Sequence, residues 1–151
     1  MISSSHGKPA VAFTAGRPNI LGCPGDGRCL STFQTITTLP AGYTETNTCS
    51  QIHLALSEKF LYAPNQGHNS IAGFSVNIFS GGLPASGHVS TAAVPSVRKL
   101  DPEGRFLFSA GDQSGRLASN RINGDSGELT PLETSTVGQR PLSVLVTCLG
   151  G

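Results

Sequence analysis

Residues 55 to 77 slide onto residues 101 to 123 without a gap, and this 46-residue self-similarity most narrows what the chain can fold into. One stretch reads ALSEKFLYAPNQGHNSIAGFSVN and the other DPEGRFLFSAGDQSGRLASNRIN. Phe60 falls on Phe106, Leu61 on Leu107, Tyr62 on Phe108, Ile71 on Leu117 and Val76 on Ile122. The matches are apolar and occupy positions that a strand would bury. The alignment runs on through Leu83 and Leu129 to Pro95 and Pro141, where the next unit begins each time. A period of this size lies between the WD-type and kelch-type units, each of which forms one four-stranded propeller blade.

Within each unit, β-branched and aromatic residues form short runs, such as Lys59 to Ala63 and Ser70 to Val76, bounded by Gly, Asn, Asp, Ser and Pro. No stretch sustains a 3.6-residue apolar period over the roughly ten residues a helix needs. The pattern predicts strands near 51–56, 59–65, 69–77 and 84–91, then near 96–101, 105–110, 116–122 and 129–136. Pro102-Glu103-Gly104 and Asn123-Gly124-Asp125 supply Pro and Gly where tight reversals need them. Leu142 to Leu149 reads as the first strand of a third unit, and Leu30 to Leu39 as the outermost strand of an earlier one. The expected fold class is therefore all-β, a β-propeller fragment of about two complete four-stranded blades with flanking strands. Residues 1–27 form an unassigned leader in this plan. Residues 28–151 form the partial propeller, with blades near 51–92 and 94–138 and a last strand at 142–149.

Composition sets limits on partners. Nineteen glycines, ten prolines and a charged fraction of only 13% suit a turn-dense β protein. A net charge of +1 and scattered Lys and Arg predict no nucleic-acid or membrane-surface partner. No apolar stretch approaches the ~20 residues of a membrane span, and the N-terminus lacks the pattern of a secretory signal, so the default location is cytoplasmic. Cys23, Cys29, Cys49 and Cys148 match no zinc-ribbon or redox spacing, and free thiols are expected, with no metal and no cofactor. A propeller closes its ring with four or more blades. Two blades leave edges and faces bare, which predicts a piece of a larger propeller or self-association through open blade edges.

From about residue 29 onward, four segments carry a family resemblance: TITTLPAGYTETNTCSQIHL, FLYAPNQGHNSIAGFSV, LDPEGRFLFSAGDQSGRLASNRIN and VGQRPLSVLVTCL. They are similar to the C-terminal part of the seven-bladed lactonase family, of 6-phosphogluconolactonase and carboxymuconate-lactonizing type. The resemblance implies hydrolysis of a sugar lactone, a small-molecule substrate such as 6-phosphogluconolactone. That chemistry needs a base to activate water and donors to hold the oxyanion and the acidic group. It also implies a His, an Arg and a Glu N-terminal to anything recognisable in this chain, and an Arg in an N-R-G-H motif where this sequence has Gln66. Glutamine bonds through its amide but has no charge and no bidentate fork. Gln51 and the Pro95-Ser96-Val97 stretch, with Arg98 as its nearest cation, depart from the family pattern as well. A family-type site in this chain alone is therefore expected to be incompetent. The alternative is a non-catalytic fragment acting as a binding or structural module.

The residues that remain as site candidates are His68, the catalytic candidate, with Gln66, Asn69 and His53 as substrate-binding candidates. His68 lies in a predicted loop that could approach a pocket or serve only as a turn. His53 lies on an inner strand, where a hydrogen bond between blades is the plainer role. Asn65 and Asn69 could donate to a carboxylate or simply build the turn. Asp112 and Ser114 fall at the repeat positions of Gln66 and His68, so both turns are expected at one end of the ring. Arg140 reads as an inter-blade salt-bridge partner.

Overall fold

The computed structural model describes Gln34, residues 36–49, 51–91 and 95–147. Eight strands follow one another: β1 (His53–Leu54), β2 (Phe60–Asn65), β3 (Ser70–Ser75), β4 (Ala85–Ser90), β5 (Pro95–Leu100), β6 (Phe106–Gly111), β7 (Arg116–Ile122) and β8 (Leu129–Thr136). They form two four-stranded antiparallel sheets, each pairing its strands in sequence order. No helix occurs among the described residues.

The turns explain why the two sheets have one plan. Asn77 donates its amide to the Gly82 carbonyl at 2.9 Å, and Asn123 does the same to Glu128 at 2.9 Å. In both turns the Asn side chain accepts two further amides, from Phe79 and Ser80 in one and from Asp125 and Ser126 in the other. The asparagine thus replaces the missing backbone acceptors. Gly81 and Gly127 follow at φ of 72° and 73°. At Gly127 the conformation is only half the reason for glycine, because a Cβ there would run into the Phe60 ring.

Register then sorts the side chains. In β2, Phe60 and Tyr62 point to one face and Leu61 and Ala63 to the other, as the two-residue period of a strand requires. Phe60, Tyr62 and Ile71 pack with Leu107 and Ile122 of the second sheet. Leu61, Ala63, Ala72, Phe74 and Leu83 form a second cluster, joined by Ile36, Ile52 and Val76. Strands β2 and β3 are therefore covered on both faces, with all six residues of β2 buried, whereas β4 is exposed along most of its length. The second sheet shares one face with the first. On its other face Phe106 and Phe108 stay partly exposed, and β8 is open to solvent along nearly its whole length.

Three expectations need correction. The first strand shrinks from 51–56 to His53–Leu54. Pro64 supplies the reason: the amide of Gln66, two residues on, points to Thr48 on the β1 side. The donor that Pro64 lacks would have pointed the same way, so the ladder breaks there and resumes as a single bridge between Cys49 and Asn65. The last strand expected at 142–149 is not formed over residues 142–147, and residues 148 and 149 lie outside the described set. A strand is completed by a partner's backbone, and the described residues place no sheet edge beside this segment. For the strand expected at Leu30 to Leu39, residues 36–39 carry none and most of the remainder lies outside the described residues. The same holds for residues 1–27, Cys23, Cys29 and Cys148.

Candidate functional site

The turn between β2 and β3, residues 66–69, carries three of the four candidates, and its rigidity comes from a segment far away in sequence. Residues 38–49 lie against it as a strap. Asn47 Oδ1 accepts the amides of Gly67 at 3.0 Å and His68 at 3.2 Å. Thr48 takes the Gln66 amide on its carbonyl at 2.9 Å and donates its hydroxyl to Gln66 Oε1 at 2.7 Å. Gly67 is glycine because the strap comes so close: a Cβ would meet the Thr46 carbonyl oxygen.

Beneath the turn lies Asn65, which is fully buried. Its Oδ1 accepts from Thr38 Oγ1 at 2.7 Å, Asn47 Nδ2 at 3.1 Å and the Cys49 thiol at 3.4 Å. Its Nδ2 donates to the Thr38 carbonyl at 2.6 Å and to Ser70 Oγ at 3.3 Å. Both amide protons are thereby used, so Asn65 is a node tying strap to sheet and is not a substrate donor. Asn69 holds the left-handed conformation, φ 53°, that closes the turn, and its carbonyl accepts the Thr91 amide at 2.9 Å. Asparagine tolerates that conformation better than most residues.

His68 is half-buried. Its Nδ1 is 2.8 Å from Ser70 Oγ, its ring meets Tyr43 edge-on at 4.8 Å, and the His88 ring lies 6.4 Å away. His88 Nε2 in turn contacts the Thr38 carbonyl at 2.9 Å. His68 thus belongs to the face that the strap covers. His53 does not join it. In β1 it stands opposite Tyr62, and facing residues of an antiparallel pair share a side of the sheet, which here is the side toward the second sheet. The structure therefore gathers Gln66, His68 and Asn69 and separates His53 from them.

The second sheet has a matching turn at residues 112–115. Its position is fixed by the Val137 amide on the Gly115 carbonyl at 2.9 Å, which matches the Thr91 bond to Asn69. Thr91 also donates its hydroxyl to Ser109 Oγ at 3.3 Å, so both turns lie at the same end of their sheets. Arg140, which follows the 94–138 blade, pairs with Asp112 of this turn at 3.8 Å. Cys49 is a free thiol, and the described residues form no cluster able to hold a metal ion. Two shallow grooves lie along the sheets, of about 170 Å³ beside Gly73, Gly87 and Gly127, and about 250 Å³ beside Thr91, Asn120 and Glu133. None of the four candidates lines either groove.

The strap is what sequence reasoning missed. Its residues sit inside the TITTLPAGYTETNTCSQIHL stretch that carries the family resemblance, but their role needs contacts across 18 to 27 positions, which no local pattern encodes. Tyr43 and His88 gave no signal at all.

Consecutive four-stranded antiparallel sheets packed face to face, each a simple meander, define the propeller class. The chain belongs to the family described as Lactonase, 7-bladed beta-propeller, which matches residues 22–146. It is 31% identical over 137 residues to the 6-phosphogluconolactonase of Sodalis glossinidius, covering 91% of this chain and 41% of that protein. With the 6-phosphogluconolactonase of Pectobacterium carotovorum it shares 32% over 120 residues, 80% of this chain and 36% of the relative. Among solved structures, the periplasmic gluconolactonase PpgL of Pseudomonas aeruginosa matches 77% of this chain and 32% of its own, with a TM-score of 0.69 and 28% identity. A Lactobacillus plantarum protein matches with a TM-score of 0.68 and 28% identity. The chain thus spans about two fifths or less of the length of these relatives.

Proposed function

We propose that this chain supplies the Gln66–Asn69 turn to a lactone-hydrolysing propeller of the 6-phosphogluconolactonase type, and that it does not hydrolyse lactone by itself. The observation that carries this reading is the strap-clamped turn, which holds the candidate His68 and the amide of Gln66 side by side inside a chain of the lactonase family. Hydrolysis adds water to the lactone carbonyl and expels the ring oxygen. With the proton on Nδ1 and directed at Ser70, His68 presents the Nε2 lone pair to a water molecule. Gln66 offers an amide donor to the acidic end of the substrate but not the charge of an arginine. His53 faces the other side of the sheet and reads as an inter-blade contact.

Two experiments test the two halves. The purified chain is assayed for hydrolysis of 6-phosphogluconolactone, and the expected rate is the background rate. Turnover clearly above it would show that this chain needs no further blades. Titration with 6-phosphogluconate is then followed by amide NMR. Shifts confined to Gly67, His68 and Asn69 are expected, and their absence up to about 10 mM would remove the turn from the substrate site. When the remaining blades are supplied, Gln66→Arg is expected to raise turnover about 10-fold or more, the lower end of what a transition-state electrostatic contact gives.

The separation of His53 from His68 favours the second reading, a non-catalytic propeller segment that binds through its open surfaces. In that case neither the phosphogluconate titration nor Gln66→Arg has an effect. The proposal keeps the cytoplasmic location that the sequence suggests. No helix among the described residues is long and apolar enough to cross a membrane, and the Pseudomonas relative is periplasmic. Cell fractionation decides between the compartments.

A further inference from the structure

Two polar residues stand in the second sheet where the first has apolar ones, and from them we infer that the groove beside Asn120 binds a small neutral polyhydroxyl molecule, a single sugar ring or an acyclic polyol. At the 46-residue offset Ser109 replaces Ala63 and Asn120 replaces Phe74. In the first sheet Ala63 and Phe74 pack with Leu61, Ala72 and Leu83 in an apolar cluster. Their replacements are buried as deeply, Ser109 at 0% and Asn120 at 1% exposure. Burying a polar group costs free energy unless its hydrogen bonds are replaced. Ser109 Oγ accepts the Thr91 hydroxyl at 3.3 Å. Asn120 is left short: among the described residues its side chain makes one bond, from Nδ2 to the Leu107 carbonyl at a long 3.4 Å. An amide side chain has two donors and an oxygen with two lone pairs, so most of its capacity is open to a ligand.

Asparagine in place of a ring leaves space, and Asn120 lines a groove of about 250 Å³. One wall is Ser90 and Thr91, at the end of the first sheet, and the other is formed by β7 and β8 of the second. Both walls belong to the two sheets described, so the groove is a property of their packing and needs no further blade. Thr134 adds a third hydroxyl to those of Ser90 and Thr91, and hydroxyls both donate and accept, as the groups of a polyol do. Pro131 and Leu132 supply an apolar patch for the C–H face of a ring. Arg116 and Glu133 line the same groove with one charge of each sign, so it has no net charge with which to favour an anion. Its volume lies below the roughly 300–1,000 Å³ of sites for drug-sized ligands, which limits the ligand to about one ring. A ligand of that size in an open groove binds at millimolar concentration.

Amide NMR of the full chain titrated with D-glucose to about 100 mM is the test, with D-gluconate as the same carbon chain bearing a carboxylate. Saturable shifts are expected at Thr91, Ser119, Asn120 and Glu133, half-complete at about 1–10 mM glucose. Asn120→Phe installs the residue that the first sheet has at this position and fills the groove. It is expected to keep the fold, checked by circular dichroism, and to weaken glucose binding about 10-fold or more. Thr91→Val keeps the shape of the wall but removes its hydroxyl, and is expected to weaken binding about 3- to 10-fold. That variant carries the test if Asn120→Phe does not fold. Shifts that never saturate would mean that Asn120 is satisfied by water alone, and the proposal falls. Binding unchanged in the variants, or gluconate bound about 10-fold more tightly than glucose, would overturn it as well.

Discussion

The two sheets are built from similar sequence and meet different surroundings. Phe60 is 5% exposed, while its counterpart Phe106 is partly open and lies within reach of two arginines. Tyr62 and Phe108 differ in the same sense. Strands β2 and β3 have the second sheet on one face and the strap on the other, and among the described residues the strap lies against the turn of the first sheet alone. What separates them is therefore neighbours rather than propensity. A strand pattern specifies which side chains share a face, and tertiary context decides what that face is worth.

The sharpest way to break this comparison is to empty the same position in both sheets. Phe60→Ala removes a ring packed between sheets and stacked on Gly127, and is expected to cost about 3–5 kcal/mol. Phe106→Ala is expected to cost about 1–2 kcal/mol, because the ring already keeps part of its surface in water. Urea denaturation of both variants at one low protein concentration gives the ratio. Equal losses would mean that the second sheet is as well covered as the first.

Next in size is the strap. Asn65→Ala strips the Thr38 carbonyl, the Thr38 hydroxyl and Asn47 of their buried partner and is expected to cost about 2–3 kcal/mol. The second sheet has Gly111 at the matching position and no such node. Hydrogen exchange sharpens the point: in the variant, the amides of Gly67 and His68 should lose protection while that of Val137 keeps it. Loss at all three would make the two turns one cooperative unit.

This is also where reading the sequence stopped. The eight strands and their turns follow from alternation, from Asn and Gly at the reversals, and from the 46-residue offset, all of which are local or periodic signals. The end of β1 was not read from the alternation, although Pro64 lacks the donor the ladder needed. The segment at 142–147 has strand-forming residues, Val144 and Val146 among them, but alternation alone could not supply a partner edge. Of the candidate site, His68 and Gln66 were visible as loop residues of a resembling motif. Asn65 was misjudged because its burial depends on Thr38, 27 positions away.

Tyr62→Phe tests a smaller difference, since Phe108 is already phenylalanine. The Tyr62 hydroxyl donates to the Gly127 carbonyl at 2.8 Å, and its loss is expected to cost about 1–2 kcal/mol. Burial pushes this phenol up to about 12, against 10.0 in an unfolded chain. The folded protein thus holds the proton more tightly. The stabilisation is complete below pH 10 and is lost as pH rises toward 12, because the unfolded chain ionises first. Stability measured from pH 8 to 12 should fall more steeply in the parent than in Tyr62→Phe. Parallel curves would mean that the phenol has no linked ionisation.

The smallest effect separates the two turns themselves. The first is held by neutral hydrogen bonds, Asn47 to the turn amides and Thr48 to Gln66, whereas the second has the Arg140–Asp112 ion pair at 3.8 Å. Arg140 is 81% exposed, so water and salt screen the pair and the cost of ordering a long side chain offsets most of its attraction. Arg140→Ala is expected to lower stability by no more than about 0.5 kcal/mol in 20 mM salt, with the difference vanishing in 500 mM salt. Thr48→Val, which removes the 2.7 Å bond to Gln66, is expected to cost about 1 kcal/mol with no dependence on salt. The first turn is clamped by geometry and the second by charge only if the two variants differ in this way. A salt-dependent Thr48→Val or a salt-independent Arg140→Ala would mean that both turns are held by the same kind of contact.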